Sequence, residues 1–198
     1  MVGDVSARSV AESQLRERVE LAAKPQGSTS AHISSFPFLG RLLATGHVSR
    51  IRVAAAGVTV EGLAFARVAV DLHDVTLDRD RLLSERKIVL TDLRQGTAEA
   101  EVTQEELSER LGVPVTLEAG RARVRVAGQT VTATASVTDN TLRLSVSGFS
   151  VPPLRIPKLP LVPCVADARI VPGRVRLTCS VDRVPPEIVG RPLDEIVR

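Results

Sequence analysis

A chain of 198 residues, 43% hydrophobic and 25% charged, is long enough to bury roughly 70% of its unfolded surface as one domain, and no apolar run approaches the ~20 residues of a membrane-spanning helix. Aromatic residues make up 2%, four Phe with no Trp or Tyr, so the stacking platforms that usually grip single-stranded nucleic acid and sugar rings are missing and neither ligand is expected. The net charge of +3 comes chiefly from Arg, which suits bidentate contact with phosphate or carboxylate, although an ordinary solvated mixed surface accounts for so small an excess.

In chain order, Ala7, Ala11, Leu15, Val19 and Ala22 recur at three- and four-residue steps and predict an amphipathic helix over residues 4–23. Its stripe is mostly Ala, which permits close approach to a sheet but contributes little apolar area. Pro25 and Gly27 stop the helix, and Gln26 to Ser30 reads as a connector. Residues 34–46 hold Phe36, Pro37 and Phe38, half the aromatic residues of the chain, and read as a packing anchor. Leu39, Leu42 and Leu43 then form the apolar face of a short helical turn that Gly46 can end.

A sheet is predicted over residues 48–182. Ile51, Val53 and Ala55 share one face of its first strand, but Val58 and Val60 continue with the opposite parity beyond Gly57. On the next strand Val68, Val70 and Leu72 give way to Val75 and Leu77 across His73-Asp74. Two parity changes in neighbouring long strands imply bulges or bends, and hence a strongly bent antiparallel sheet around an elongated cavity. Asp78 to Lys87 reads as a charged loop. Ile88 to Leu90 and Ala98 to Val102 read as a strand interrupted at Asp92 to Gly96. Thr103-Gln-Glu-Glu106 has the spacing of a capping box, opening a short helix with Leu107 and Leu111 on one face and Gly112 as its stop.

Three strands with clean alternation follow, around Ala122 to Val126, Val131 to Val137 and Leu142 to Val146, joined by tight turns at Gly128-Gln129 and Asp139-Asn140. Arg121, Arg123 and Arg125 and Thr130, Thr132 and Thr134 take the outward positions. Val151 to Pro163 contains five of the twelve prolines and is a stiff loop. The last hairpin turns at Pro172-Gly173 and carries Cys164 and Cys179 on its apolar face, within one register step of being opposite. A disulfide between them is expected, with two buried free thiols as the alternative. Pro186 opens a short helical piece ending at Gly190, within a C-terminal segment 185–198.

Catalytic chemistry is not legible. Ser84-Glu-Arg-Lys87 and Thr138-Asp-Asn140 echo two motifs of penicillin-recognising enzymes, but the third is missing and the first falls in a charged loop. No nucleophile elbow, phosphate-cradling loop or dinucleotide fingerprint occurs. His32, His47 and His73 lack a second His or Cys at ligand spacing, and His73-Asp74 lies at a parity change where polar groups serve the backbone. The expectation is no catalytic residue, no metal and no cofactor.

Phe36-Pro37-Phe38-Leu39, followed by Gly46 and the basic-apolar strand Val48 to Val53, resembles the LmeA-like phospholipid-binding family of the actinobacterial cell envelope, whose fold is like the tubular lipid-binding superfamily. The order of elements agrees from about Val5 to Gly190. The resemblance implies an α+β domain over residues 1–198, with a long N-terminal helix packed on a strongly bent antiparallel sheet. It further implies non-enzymatic phospholipid binding or shuttling, with acyl chains held between helix and sheet. A link to lipoglycan (lipomannan) elongation, through an envelope glycosyltransferase, comes from the resemblance alone. Such proteins usually carry an N-terminal signal or anchor, and residues 1–9 have no apolar core, so removal of such a segment is expected of an extracytoplasmic protein.

Periodicity alone favours a closed two-layer core, and the resemblance reverses that preference toward an open tube. Parity then selects Phe38, Leu42, Val68, Val70, Leu72, Val124, Val131 and Leu144 as lining residues. Leu154, Ile156 and Leu159, interleaved with Arg155 and Lys158, are assigned to the cavity mouth and the membrane surface. The competing reading is a structural or interaction protein with a closed core that docks on a membrane or envelope partner.

Overall fold

The computed structural model describes residues 2–85, 87–146, 149–157, 167–186 and 188–192, which form four helices and twelve strands. Helix α1 (Val2–Ala23) has the predicted span, but its expected apolar stripe is weak: none of residues 4–23 is buried, and Ala22 is exposed. Ala7 and Ala11 pack against Ile33, Phe38 and Val48, a contact that only small side chains allow at short range. Its remaining hold is polar: Glu12 accepts a hydrogen bond from the Ile33 backbone N–H at 2.7 Å.

Strand β1 (Thr29–Ser34) occupies much of the segment that reads as a connector. A polar edge strand needs only backbone pairing, so a run whose one large apolar residue is Ile33 carries no alternation to detect. The next element, α2 (Phe38–Thr45), ends as expected at Gly46, whose φ of 71° is left-handed and whose N–H donates to the Leu42 carbonyl. The aromatic anchor divides: Phe38 is 4% exposed, whereas Phe36 is 72% exposed and packs into no core.

The expected single sheet is in fact two, both antiparallel. Strands β2 (His47–Val60), β3 (Leu63–Leu77), β4 (Leu90–Thr103), β11 (Asp167–Val171) and β12 (Arg174–Val181) join β1 in the order β1-β2-β3-β4-β12-β11. Strands β5 (Val115–Glu118), β6 (Arg121–Val126), β7 (Gln129–Thr138), β8 (Thr141–Val146) and β10 (Leu154–Arg155) form the second, ordered β10-β8-β7-β6-β5, with β9 (Phe149–Ser150) pairing to β8. Alternation identifies strands but not partners, and β4 pairs with β12, which follows it by some seventy residues of chain.

Between the strands of the first sheet, α3 (Arg79–Ser84) replaces part of the expected charged loop, capped by Asp78, which accepts from the Arg81 N–H at 3.1 Å. Strand β4 runs without the expected interruption, because Leu93 and Gly96 are both buried. Helix α4 (Gln104–Leu111) has half of its capping box. Thr103 Oγ1 accepts from the Glu106 N–H at 3.2 Å, while the Glu106 carboxylate accepts from the Ala64 N–H at 3.1 Å and from Arg110 at 2.9 Å. Phe65, Val102 and Val175 of the first sheet meet Val124, Leu142 and Leu107 in one core between the sheets.

Candidate functional site

The β2–β3 ladder keeps one register from His47↔Thr76 to Val60↔Leu63, yet the Ser49/Asp74 and Ala66/Gly57 positions drop out of it. Gly57 has φ 67° and Asp74 φ 50°, so the two parity changes of the sequence coincide with two left-handed backbone positions. Across them the apolar set switches from Leu63 and Phe65 to Val68, Val70 and Leu72, and then to Val75 and Leu77. Phe65 and Val68 share a cluster, as do Leu72 and Val75, so the switches keep a single apolar face along the whole strand.

Burial along that face is uneven. At one end Phe65 is 1% exposed beneath the second sheet, and at the other Val75 is fully covered, packed with Val184 and Ile188. Between these closed cores Ile51, Val53, Val68, Val70 and Leu72 all stay partly exposed, with Ala98 and Cys179 packed beside Val70. In the ladder Ile51 pairs with Leu72 and Val53 with Val70, which makes a two-strand strip of branched apolar side chains. From Val68 to Leu72 it extends about 13 Å at ~3.3 Å per residue.

The opposite face is charged and largely self-compensated. Asp71 accepts from Nε of Arg50 at 2.8 Å and Nη2 of Arg52 at 2.7 Å, with His73 Nε2 at 3.3 Å. The Arg50 bonds hold its carboxyl well below the usual range, against a burial effect and with help from Arg52. For Glu101, burial opposes ionisation, but bonds from Arg174 at 2.6 Å and Arg176 at 3.0 Å outweigh it and leave its pKa lowered. A cleft of about 130 Å³ lined by Arg67, Ala69, Glu99, Glu101 and Arg176 lies there, too polar for an acyl chain.

Of the lining residues predicted from parity, Val68, Val70 and Leu72 lie on the strip. Phe38 and Leu42 lie on the inner side of α2 in a cluster that includes Ile51, at the end of the strip. Val124, at 0% exposure, and Leu144, at 5%, belong instead to the closed core between the sheets, and Val131 pairs with Val124 on the second sheet. Ile51 and Val53 were legible as one strand face, but their place on the strip follows from the register, which no spacing in the sequence supplies.

The described residues of the predicted membrane contact are placed by the pairing of β10 with β8. Leu154 sits opposite Leu142 and packs on the core, and Ile156 is 8% exposed, its N–H donating to the Asn140 carbonyl at 2.7 Å. Alternation turns both side chains inward and leaves Arg155 exposed; Lys158 and Leu159 lie outside the described residues. Cys179 is 9% exposed and is not a free thiol, and Cys164 lies outside the described residues.

Ser84, His73 and Asp74 each have a partner of their own. Ser84 donates its hydroxyl to the Asp80 carbonyl at 2.6 Å at the end of α3. His73 faces Asp71, while Asp74 faces His47 at 3.6 Å and Arg94 at 3.3 Å. Among the described residues no cluster of His, Cys, Asp and Glu is arranged to hold a metal ion, and no helix is long and apolar enough to cross a membrane.

The sequence profile described as LmeA-like phospholipid-binding covers residues 2–180, from the start of α1 almost to the end of β12. No curated protein and no solved structure matches.

Proposed function

The chain belongs to the LmeA-like phospholipid-binding family, and from that premise we propose that it holds phospholipid without chemistry, acyl chains lying on the strip of Ile51, Val53, Val68, Val70 and Leu72. The observation that carries this reading is the uneven burial of one apolar face, closed at both ends and partly exposed between them. Each acyl methylene removed from water contributes about 0.8 kcal/mol, so a strip without directional polar groups gains affinity from chain length. Its β-branched side chains are stiff at χ1 and present a nearly fixed surface.

The family is one of phospholipid binding, which supports a reading of binding without catalysis. In this reading the strip forms one wall of a tubular site that Phe38 and Leu42 border. The protein works in the actinobacterial envelope outside the cytoplasm, and Cys164 and Cys179 form a disulfide that suits an oxidising compartment. A supporting role in lipomannan elongation, alongside an envelope glycosyltransferase, extends the family resemblance.

Native mass spectrometry of protein purified from an actinobacterial host tests the reading, together with organic extraction of whatever it retains. Co-purified phospholipid with intact acyl chains is the expected result. A lipid-free mass that persists after incubation with phospholipid vesicles overturns it, and release of fatty acid from labelled phospholipid replaces binding with hydrolysis.

A further inference from the structure

The run Phe36-Pro-Phe-Leu-Gly-Arg-Leu-Leu-Ala44 contains a single charged residue, Arg41. Three of its side chains, Phe38, Leu39 and Leu42, pack inward against Ile33 and Val48. The side turned outward is also apolar: Phe36 is 72% and Leu43 46% exposed, with Pro37, Gly40 and Ala44 exposed beside them. A helix that is apolar all round normally lies inside a protein or a bilayer, whereas α2 lies at the surface. The two helices that touch α2 also carry exposed apolar residues, Val5, Val10 and Leu21 on α1 and Leu83 on α3.

Cations border this face. Arg41 donates to Ser49 Oγ at 2.8 Å and meets no carboxylate among the described residues. Arg79 donates to the Leu43 carbonyl at 3.2 Å, which fixes a second guanidinium next to Leu43, although its charge is paired with the exposed Asp80 at 3.2 Å. The nearest acid on α1, Asp4, is committed to the Phe38 and Leu39 N–H groups. Apolar tips beside the unpaired guanidinium of Arg41 fit the boundary between acyl chains and anionic headgroups. The inner side of the same helix shares a cluster with Ile51, which places α2 at the end of the strip.

We propose that the outward face of α2, with Phe36 at its leading end, docks on the surface of an anionic phospholipid bilayer. The proposal rests on the phospholipid-binding reading for its choice of a bilayer as partner. It places the membrane contact on α2 and not on the Pro-rich segment, and it sets the end of the strip against the membrane from which a lipid enters.

Flotation of the purified full chain with vesicles of equimolar phosphatidylglycerol and phosphatidylcholine tests it, against vesicles of phosphatidylcholine alone. Binding is expected on the anionic vesicles and to weaken with salt. Phe36→Ser and Leu43→Ser should each lower partitioning by about tenfold, and Arg41→Gln should lower it on anionic vesicles only. Both apolar residues are exposed, so circular dichroism and melting of the variants should match the parent. Unchanged flotation of the Phe36→Ser, Leu43→Ser double variant overturns the proposal. So does sedimentation showing a parent dimer that the double variant dissolves, since the occupant is then a second copy. Native mass spectrometry keeps the two readings apart. Retained lipid with equal flotation of parent and variant removes the docking face alone, whereas flotation lost in the variant from a parent that never carries lipid supports docking and removes the strip.

Discussion

Asp4 accepts hydrogen bonds from the backbone N–H of Leu39 at 2.7 Å and of Phe38 at 3.1 Å, so the first turn of α1 caps a helix that begins 34 residues later in the chain. Pro37 stands at the N-cap of α2 and supplies no side-chain bond, which leaves this cap to a distant carboxylate. Helix α1 is thereby tied to α2 by directional bonds more than by its Ala stripe.

Loss of that cap is expected to loosen α2 before the sheet. In Asp4→Ala the amides of Phe38 and Leu39 should exchange with solvent deuterium markedly faster, while those of β3 and β4 stay at parent rates. The bonds from Leu39 and then Phe38 hold the Asp4 pKa below its ordinary value. A carboxyl depressed on folding contributes stability that is complete above the ordinary pKa of about 4 and is lost as pH falls through the depressed one. Acidification below about pH 4 should therefore reproduce the Asp4→Ala exchange pattern in the parent and change nothing further at these amides in the variant. Parent-like protection of Phe38 and Leu39 in the variant would remove the capping role.

Gly46 and Gly112 separate backbone strain from lack of space. Their φ angles are nearly equal, 71° and 67°, and each ends a helix. A Cβ on Gly46 would lie 2.2 Å from the Leu77 carbonyl oxygen, whereas one on Gly112 would meet nothing within 4 Å. Gly112→Ala should cost about 1–2 kcal/mol, the left-handed penalty alone. Gly46→Ala should cost about 3 kcal/mol or more, because the backbone of β3 must also move. Urea midpoints at unchanged m-value measure both, and equal losses would show that the contact with Leu77 relaxes freely.

The elements legible in the sequence were those whose side chains alternate against a core. Strands β6, β7 and β8 declared themselves through Val124, Ala133 and Leu144, and Asp139-Asn140 marked a turn in which both residues have positive φ. The parity changes at Gly57 and His73-Asp74 likewise marked real left-handed positions. Strand β1 escaped notice because an edge of Ser and Thr pairs through its backbone, and α3 because six residues, three of them charged, are too few to show a period. At the site, parity chose Val68, Val70 and Leu72 correctly as one face. It could not separate them from Val124 and Leu144, since alternation tells which way a side chain points and not what covers it.

The two cysteines give a test that is independent of lipid. Cys164 and Cys179 are the two cysteines of the chain, and the proposed bridge joins them. A bridge between them closes a loop of about 15 residues and should stabilise the fold by roughly 3 kcal/mol in the chain-entropy model. Protein from an oxidising compartment should gain two hydrogens in intact mass on reduction, and its melting temperature should fall. An unchanged denatured mass with and without reductant would remove the bridge, and with it the argument from redox compartment for an extracytoplasmic protein.

The strip itself is tested by a charge placed on it and a matched charge placed in the closed core. Val70 is partly exposed beside Ala98 and Cys179, whereas Val124 is 0% exposed between the sheets. A glutamate at position 70 can keep its carboxylate toward water, so Val70→Glu should cost delipidated protein only about 1 kcal/mol. The same carboxylate at position 124 has neither water nor partner, and Val124→Glu should unfold the domain or cost several kcal/mol. Retained phospholipid should respond in the opposite sense to stability. Val70→Glu should lose it by tenfold or more while melting close to the delipidated parent, because an ionised group now faces the acyl chain. If Val70→Glu keeps its lipid, acyl chains do not lie on the strip. If it loses stability as severely as Val124→Glu, Val70 is part of a closed core, and the two cores at the ends of the face are one.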